Sequence, residues 1–235
     1  MGRLGFSVDE LPGVAERVKE LSGVQSVSLM THLANADTPN KPANQQQLDL
    51  FSEVLSTAKQ HKHQYHQISV LNSAGIVAFG GSANSITRPG LFLYGISPQQ
   101  GLSAHKLGLK PVMAFKASVI SVRRLPSGTS IGYGGTYTLD TDSRVAYVGC
   151  GYGDGYPRHA PSGTNVSVNG FLVPLVGLVS MDMIAVDVGE LPVKLGDPVT
   201  LWGEENPIED VAQAAGTIAY ELSCGITQRV VRRII

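Results

Sequence analysis

The first hundred residues carry apolar positions at helical spacing, separated by short β-like runs. Ser7 and Glu10 stand three residues apart, as in the capping box that begins many helices, and apolar residues then repeat over 11–21 before Gly23. A second repeat of this kind predicts a helix over about 45–61. The pattern therefore predicts two amphipathic helices in this half of the chain.

Short runs rich in β-branched and aliphatic residues follow these helices, over 24–30, 67–71 and 86–94. Strands that alternate with helices usually form a parallel sheet, so this half is expected to be an α/β unit. An eight-stranded barrel takes roughly 250 residues, so the half is either a small unit in its own right or part of a larger barrel. Site residues commonly lie just past the strand ends of such sheets, and the polar residues there are His32, Ser73 and Arg88.

The second half is β-rich and begins after a stretch without periodicity at 96–110. Asn169-Gly170 is a strong hairpin signal between two of its apolar runs. Asn206 and Pro207 predict the cap and the first residue of a short helix that ends near Gly216. The predicted strands cover 112–125, 144–149, 165–168, 171–179, 183–188, 198–202 and 229–234.

Net charge and cysteine content make several classes of function unexpected for this chain. A net charge of −1 gives no electrostatic reason to expect nucleic acid or an anionic membrane surface as a partner. The arginine pairs at 123–124 and 232–233 are therefore expected to be surface charge. Cys150 and Cys224 are too few for a disulfide framework and predict reduced thiols in a cytosolic protein. No membrane span and no targeting leader are expected, because no apolar run has the required length.

Two tyrosines flanked by glycines, Tyr133 and Tyr152, are the strongest chemical signal in the chain. Glycine lets the backbone adopt positive φ and approach a ligand closely, so these phenols are better explained by presentation into a site than by core packing. The glycines around Tyr152 also suggest a phosphate-cradling loop. Pro157 follows and no helix pattern does, so a dinucleotide site is a poor explanation.

Structural roles are alternative explanations for several polar residues. An isolated histidine such as His32 is more often structural than catalytic, and Ser73 after a strand is as easily a turn residue. His61, His63 and His66 suggest a metal site. Histidines at the C-terminal end of a helix are more often solvated there, so no metal is predicted.

Eight motifs, in order along the chain, resemble those of bacterial alanine racemases, which use pyridoxal 5′-phosphate (PLP). They run from Met-Gly-Arg-Leu-Gly at the start, through Thr-His-Leu-Ala-Asn-Ala-Asp and the two glycine-tyrosine motifs, to Ala-Tyr-Glu. Each motif alone is weak evidence, but the set in this order covers nearly the whole chain. The motifs lie at 1–5, 31–37, 72–75, 88–95, 132–134, 151–155, 179–182 and 219–221.

The resemblance implies three sets of site residues and no metal. The implied catalytic residues are Tyr133, His32 and Arg88. The implied substrate-binding residues are Met181, Arg3 and Tyr152, of which Tyr152 matches a tyrosine that lines the entrance. The implied cofactor-binding residues are Ser73, Arg88, Gly90, Leu91 and Tyr220.

Racemisation explains why a phenol is needed. The α-proton leaves one face of the substrate and returns to the other, which requires two acid/base groups on opposite faces of the cofactor. In the family, one is the lysine that carries PLP and the other is a tyrosine from the partner subunit, which Tyr133 matches. A phenol stays protonated at neutral pH unless positive charge lies nearby, and His32 and Arg88 match the neighbours that supply it.

One family motif has no counterpart. The cofactor lysine of the family lies in Val-Lys-Ala-x-Ala-Tyr-Gly-His-Gly near the N-terminus, and none of the eight lysines of this chain stands in such a motif. The modified lysine that the family places shortly before Arg3 is also missing. We therefore expect the chain to be the C-terminal portion of a racemase that is inactive by itself.

The resemblance implies an α/β plus all-β fold, with a partial PLP-binding (β/α) barrel segment over 1–100 and a β-rich C-terminal domain over 111–235. It implies interconversion of L- and D-alanine in the cytoplasm by a homodimer with shared active sites. Two alternatives stay open: a serine or broad-specificity racemase of the same fold, and a non-catalytic fragment or dimerisation module.

Overall fold

The computed structural model of the chain describes residues 1–60, 64–81, 85–99 and 101–234. They form two compact units, of which the first is mainly helical and the second contains a β-rich sheet. The first unit comprises Met1–Leu93 and Ser97–Leu107, and the second comprises Tyr94–Ile96 and Gly108–Ile235.

The first unit begins with the capping box that the sequence predicts. The backbone N–H and the hydroxyl of Ser7 both donate to the Glu10 carboxylate, at 2.7 and 2.8 Å, beside a 3₁₀ turn at Val8–Glu10. Helix α1 follows at Leu11–Lys19. It ends sooner than predicted because Leu21 is 57% exposed and gains little from a further helical turn.

Two short strands precede and follow the longest helix. Strand β1 is Leu29–Met30, helix α2 is Pro42–Gln60, and strand β2 is Ile68–Ser69. Strands β1 and β2 pair in parallel, as the alternating pattern predicts. The predicted helix is confirmed and begins slightly earlier than expected, whereas both strands are shorter than the apolar runs that predicted them.

The third strand predicted for this unit, over 86–94, is wrong for the described residues. Arg88 forms an isolated bridge with Asn72, and Pro89 has no N–H with which to extend a ladder. The chain turns at Gly90 and continues into a 3₁₀ turn at Leu91–Tyr94. The run at 86–94 therefore contributes an isolated bridge at Arg88 instead of a strand.

Helix α3, Ser73–Phe79, follows β2 closely and packs on a small core. Its N-cap is Asn72, whose side-chain oxygen accepts the Gly75 N–H at 2.9 Å. This core holds together the segments that follow β1 and β2. Its buried residues are Leu33, Ala36, Leu71 and Ala74.

The second unit is built on a six-stranded antiparallel sheet and a separate strand pair. Its strands are β3 (Phe115–Leu125), β4 (Ser130–Ile131), β5 (Tyr137–Thr138), β6 (Ser143–Val148), β7 (Asn165–Val168), β8 (Phe171–Pro174), β9 (Ile184–Asp187) and β10 (Pro198–Trp202). The sheet order is β8-β7-β10-β3-β6-β9, and the long strand β3 pairs with both β10 and β6. Strands β4 and β5 pair with each other.

The two ends of this sheet are joined by the segment that follows β8. Leu175 bridges Val186, and the Val176 N–H donates to the Ala185 carbonyl at 2.9 Å. Joining the ends pairs backbone groups that an open sheet leaves exposed at its edges. The run predicted as one strand over 171–179 therefore divides, with β8 pairing to one side and the following residues to β9.

Two short helices complete the second unit: α4 at Ile208–Ala214 and α5 at Ala219–Cys224. The capping prediction for α4 is wrong, because Asn206 does not cap it. The Asn206 amide instead donates to the carbonyls of Asn165 and Leu201, at 2.9 and 2.6 Å. In the described part of the chain, no helix reaches the length and apolarity that crossing a membrane requires.

The strand predicted over 229–234 is also wrong. These residues form no strand, and Val231 and Ile234 are 78% and 104% exposed. Their apolar character misled the prediction because no sheet face covers them in this unit. Arg229, at the start of the run, forms ion pairs with Asp154 and Asp182 instead of a ladder.

Trp202 is the centre of an aromatic cluster in the core of the second unit. It is 1% exposed, and its ring centroid lies 4.7 Å from that of Phe115 and 6.0 Å from that of Tyr156. Trp202 ends β10 and pairs in register with Phe115, which begins β3. The contact therefore supports the pairing of these two central strands.

Replacing Trp202 with Ala should lower the free energy of unfolding by about 3–5 kcal/mol, because it opens a large cavity between β3 and β10. Urea denaturation followed by circular dichroism measures this. The control is Phe171→Ala, which removes a ring that is 58% exposed and should cost less than about 1 kcal/mol. Equal losses in the two variants would contradict the central place of Trp202.

Candidate active site

The predicted site residues divide between the two units. The first unit holds Arg3, His32, Ser73, Arg88, Gly90 and Leu91, and the second holds Tyr133, Tyr152, Met181 and Tyr220. Within the first unit, the His32 and Arg88 side chains are in contact. Within the second, the segments that carry Tyr152 and Met181 are joined by backbone hydrogen bonds.

Arg88 ties three segments of the first unit together. Its backbone N–H donates to the Leu71 carbonyl at 2.8 Å, which holds it beside the end of β2. Its guanidinium donates to the Ser69 hydroxyl at 2.6 Å, to the Thr31 carbonyl at 3.1 Å and to Nδ1 of His32 at 3.1 Å. These three acceptors are uncharged, so they orient the guanidinium without neutralising it.

Ser69 is a site residue that the sequence patterns missed. It ends β2, and its hydroxyl donates to the Ile86 carbonyl at 2.8 Å, which turns a lone pair toward Arg88. Ser69 lies within the strand, so the rule that selects polar residues just past a strand end could not select it. Only the contact with Arg88 singles it out.

The contact with Arg88 determines which nitrogen of His32 carries the proton. An arginine N–H can only donate, so Nδ1 of His32 accepts, and the neutral ring carries its hydrogen on Nε2. Burial lowers the pKa of His32, and the charges of Arg88 and Arg3 lower it further. His32 is therefore neutral at pH 7.

Asn72 stands beside the other nitrogen of His32. Its amide nitrogen lies 3.5 Å from Nε2, and its oxygen is already engaged by the Gly75 N–H. Two donors therefore face each other at a distance too long for a hydrogen bond. Among the contacts of the described residues, the Nε2–H of His32 has no acceptor and is available to a ligand.

Ser73 places a hydroxyl inside the first unit, at the start of α3. It is 1% exposed, and its oxygen accepts the Phe92 N–H at 3.3 Å while keeping its own proton to donate. Leu91 is 3% exposed, and Gly90 has open space where a Cβ would lie. A buried hydroxyl thus lies against the turn that contains an accessible glycine backbone.

Arg3 contributes charge to this group. It is exposed, and its positive charge is one of the causes that lower the pKa of His32. Its implied contact with the substrate stays a prediction.

Tyr133 stands in a loop between β4 and β5 that glycines shape. Gly132, Gly134 and Gly135 have φ of 73°, 70° and 55°, a region that other residues rarely adopt. Ile131 is 2% exposed and anchors the loop, whereas Tyr133 is 71% exposed. The loop therefore holds the phenol away from the core of its own unit.

Tyr152 and Met181 lie on two loops that run side by side. The Tyr152 N–H donates to the Ser180 carbonyl at 3.0 Å, and the Gly153 N–H donates to the Met181 carbonyl at 2.9 Å. Both side chains are partly open, Tyr152 at 40% and Met181 at 51% exposure. The guanidinium carbon of Arg158 lies 6.0 Å from the Tyr152 ring centroid, at the limit of a cation–π contact.

Tyr220 is the second residue of α5, a helix that the sequence patterns did not predict. Its ring is 44% exposed, and its carbonyl accepts the Ser223 hydroxyl at 2.9 Å. Six residues are too few to show a helical repeat, so only the motif match singled out this position. Its implied phosphate contact stays a prediction.

Cysteine and histidine side chains can also supply a nucleophilic thiolate or a metal centre. Burial raises the pKa of Cys150 to about 12, so at neutral pH it is a thiol and not a nucleophilic thiolate. His66 is exposed, and His61 and His63 lie outside the described residues. Within the described residues, no group of three His, Cys, Asp or Glu side chains is placed to hold a metal ion.

Sequence models of protein families match both halves of the chain. The model described as "Alanine racemase, N-terminal domain" matches residues 1–98, and "Alanine racemase, C-terminal domain" matches residues 112–234. A curated relative named alanine racemase, from Legionella pneumophila (strain Corby), is 46% identical over 98% of this chain and 63% of its own length. The chain thus spans about 63% of the length of this relative.

Solved structures give the same similarity. The biosynthetic alanine racemase from Pseudomonas aeruginosa matches 99% of this chain and 64% of its own, with 43% identity and a TM-score of 0.92. The alanine racemase from Bartonella henselae, solved with covalently bound pyridoxal phosphate, matches 100% of this chain and 64% of its own, with 31% identity and a TM-score of 0.84.

Replacing Arg88 with Gln should raise the pKa of His32, because it removes a cation that disfavours protonation of the ring. An NMR titration of the His32 imidazole measures this in the 235-residue chain. The control is Arg17→Gln, which removes an exposed arginine from the same unit and should leave the titration unchanged. An unchanged or lowered pKa in Arg88→Gln would show that the two side chains do not interact in solution.

Proposed function

The chain belongs to the alanine racemase family, and we propose that it is the portion of a PLP-dependent racemase that interconverts L- and D-alanine. One observation carries the proposal. A neutral His32 contacts Arg88, whose guanidinium donates to uncharged acceptors and so keeps its full positive charge. This arrangement suits a site that binds an anionic cofactor and moves protons.

The first unit contains the kinds of side chain and backbone group with which a protein binds PLP noncovalently. Arg88 offers only donors, which suits the acceptor nitrogen of the cofactor ring. Ser73 has a hydroxyl proton to give, and Gly90 has open space beside its backbone, which suits a phosphate. We propose that Ser73, Arg88, Gly90 and Leu91 hold the cofactor and that Tyr220 adds a phenol to the phosphate.

The chemistry of racemisation gives each catalytic residue a task. PLP, when bound, supplies an electron sink for the charge that develops at the α-carbon of alanine. Tyr133 takes or returns the α-proton at its phenol oxygen on one face of the substrate. His32, being neutral, donates its Nε2–H without adding a charge, and Arg88 supplies the positive field that stabilises a phenolate.

Arg88 has a second task. Because its N–H groups can only donate, Arg88 would hold the ring nitrogen of a bound cofactor as an acceptor, without a proton. This limits how much charge the ring withdraws and so disfavours side reactions at the substrate. A lysine would serve less well, since its point charge lacks the fork by which Arg88 reaches Ser69 and Thr31 together.

We further propose that the protein works as a head-to-tail homodimer in the cytoplasm. Residues 1–100 form part of a PLP-binding (β/α) barrel, and 111–235 form the β-rich domain that completes the partner's site. The exposure of Tyr133, Tyr152 and Met181 supports this, because side chains that face away from their own core are available to a partner.

The remaining site residues bind the substrate or line the entrance to the site. We propose that the Met181 backbone and the Arg3 guanidinium meet the carboxylate of alanine. Tyr152 lines the entrance, where its exposed ring and the nearby Arg158 restrict access.

The 235-residue chain alone should not racemise alanine, since none of its lysines stands in the cofactor-lysine motif. Treatment with PLP and borohydride, followed by peptide mass spectrometry, should give no stoichiometric adduct on a single lysine. The positive control is a protein that combines these residues with a segment bearing that motif. Turnover with one modified lysine in the chain alone would contradict this expectation.

In the racemase that contains these residues and the cofactor lysine, Tyr133→Phe should lower turnover roughly 10²- to 10⁴-fold, because it removes one positioned acid/base group and keeps the ring. PLP should still bind, since its proposed contacts are unchanged. Solvent deuterium should still enter the α-position of the enantiomer that the lysine serves, while conversion to the mirror image falls steeply. Chiral chromatography and mass spectrometry measure both quantities.

The matched control for this variant is Tyr137→Phe, four residues along in β5, which should keep turnover within a few-fold of the parent. Racemisation by Tyr133→Phe at the rate of Tyr137→Phe, with full cofactor occupancy, would remove Tyr133 from the mechanism. Comparing L-serine with L-alanine in the same assay decides whether the enzyme is instead a serine or broad-specificity racemase.

A further inference from the structure

Three segments of the second unit meet at the loops of Tyr152 and Met181. The first two are 151–155 and 180–182, which the backbone hydrogen bonds from Tyr152 and Gly153 join. The third follows α5: the Thr227 N–H donates to the Asp154 carbonyl at 3.2 Å, and its hydroxyl donates to the Gly153 carbonyl at 2.9 Å. The loop of Tyr152 is thus held between the other two segments.

Glycines allow these segments to approach each other closely. A Cβ on Gly151 would lie 2.2 Å from the Ser180 carbonyl oxygen, and one on Gly155 would lie 2.4 Å from the Gly225 carbonyl oxygen. A Cβ on Gly153 would lie 3.0 Å from the Met181 carbonyl oxygen. The glycines of this loop therefore serve close backbone contact as well as turning the chain.

Arg229 spans the outside of this assembly. Its Nη2 lies 2.5 Å from Oδ1 of Asp182, and its Nε lies 3.4 Å from Oδ1 of Asp154. The other oxygen of Asp154 accepts the Gly151 N–H at 3.0 Å. One guanidinium fork therefore links the residue after Met181 to the carboxylate that caps the Tyr152 turn.

The Arg229–Asp182 ion pair is too exposed to contribute much to stability. The side chains of Arg229 and Asp182 are 51% and 56% exposed, and water screens such a pair, whereas the Asp154 side chain is 17% exposed. The contribution of an arginine here is geometric. Because its guanidinium is planar and rigid, its N–H groups hold two acceptors at a fixed distance from each other. A lysine in the same place would keep the charge and lose that spacing.

We propose that Arg229 is a positioning residue that fixes the Met181 peptide relative to the Tyr152 ring by bridging Asp182 and Asp154. The consequence for catalysis rests on the proposed function, in which the Met181 backbone meets the substrate carboxylate. Without the bridge, the 180–182 loop is held to the Tyr152 loop by the two backbone hydrogen bonds alone, and its position is less fixed. Alanine then binds less well, while the acid/base residues, which lie on other segments, keep their chemistry.

The test uses the full racemase with its cofactor and compares Arg229→Lys, Arg229→Gln and Asp182→Ala. All three should raise KM for alanine roughly ten-fold, since small misplacements of a binding group are costly, and should leave kcat within a few-fold. The matched control is Arg233→Gln, which removes an exposed arginine four residues along and should leave KM unchanged.

The lysine variant separates geometry from charge. A wild-type KM in Arg229→Lys together with a raised KM in Arg229→Gln would mean that only the local charge matters, and would overturn the proposal. An unchanged KM in Asp182→Ala would overturn it equally. Where an Arg229 variant folds poorly, Asp182→Ala alone decides, because it removes one arm of the bridge at a side chain that is exposed.

Amide hydrogen exchange tests the bridge without reference to catalysis. The N–H groups of Tyr152 and Gly153 should exchange faster in Arg229→Gln, while those of the central strand β6 keep their protection. If the parent protein does not racemise alanine, the proposed function is wrong. Hydrogen exchange then tests independently whether Arg229 holds the two loops together. Unchanged exchange at Tyr152 and Gly153 would then overturn it.

Discussion

The candidate site depends on one constraint: Arg88 must stay fully charged and still be held in place. A carboxylate partner would hold it but cancel its charge, whereas a hydroxyl, a carbonyl oxygen and a ring nitrogen hold it and leave the charge intact. Burial lowers the pKa of His32, and the contact with Arg88 lowers it further, because an accepting Nδ1 beside a cation is not easily protonated. The parallel pairing of β1 and β2 brings these partners to one place.

The second unit positions its groups differently. Here the loops are held by close backbone contacts and not by the burial of side chains. Glycines permit these contacts, because a Cβ at Gly151, Gly153 or Gly155 would lie too close to a neighbouring segment. The side chains of Tyr133, Tyr152 and Met181 stay partly or mostly exposed in their loops. The two units thus divide the proposed chemistry, one offering a fixed positive site and the other rigid loops with exposed side chains.

Sequence patterns predicted an element best where its apolar residues are buried, even in strands as short as β7 and β10. Helix α2 and strands β3, β6, β7 and β10 follow their apolar patterns closely because burial of a whole face selects them. The run at 86–94 failed because Pro89 interrupts the ladder, and the run at 229–234 failed because its apolar residues stay exposed. Motifs singled out His32 and Arg88, but Ser69 and Arg229 emerged only from contacts between segments distant in sequence.

The most direct test of the account is α-proton exchange. The racemase that contains these 235 residues and the cofactor lysine is incubated with L-alanine and PLP in D₂O, and both enantiomers are followed by chiral separation and mass spectrometry. D-alanine should form with deuterium at its α-carbon, because its incoming proton comes from a group that exchanges with solvent. D-alanine that forms without deuterium, or no exchange at all, would contradict it.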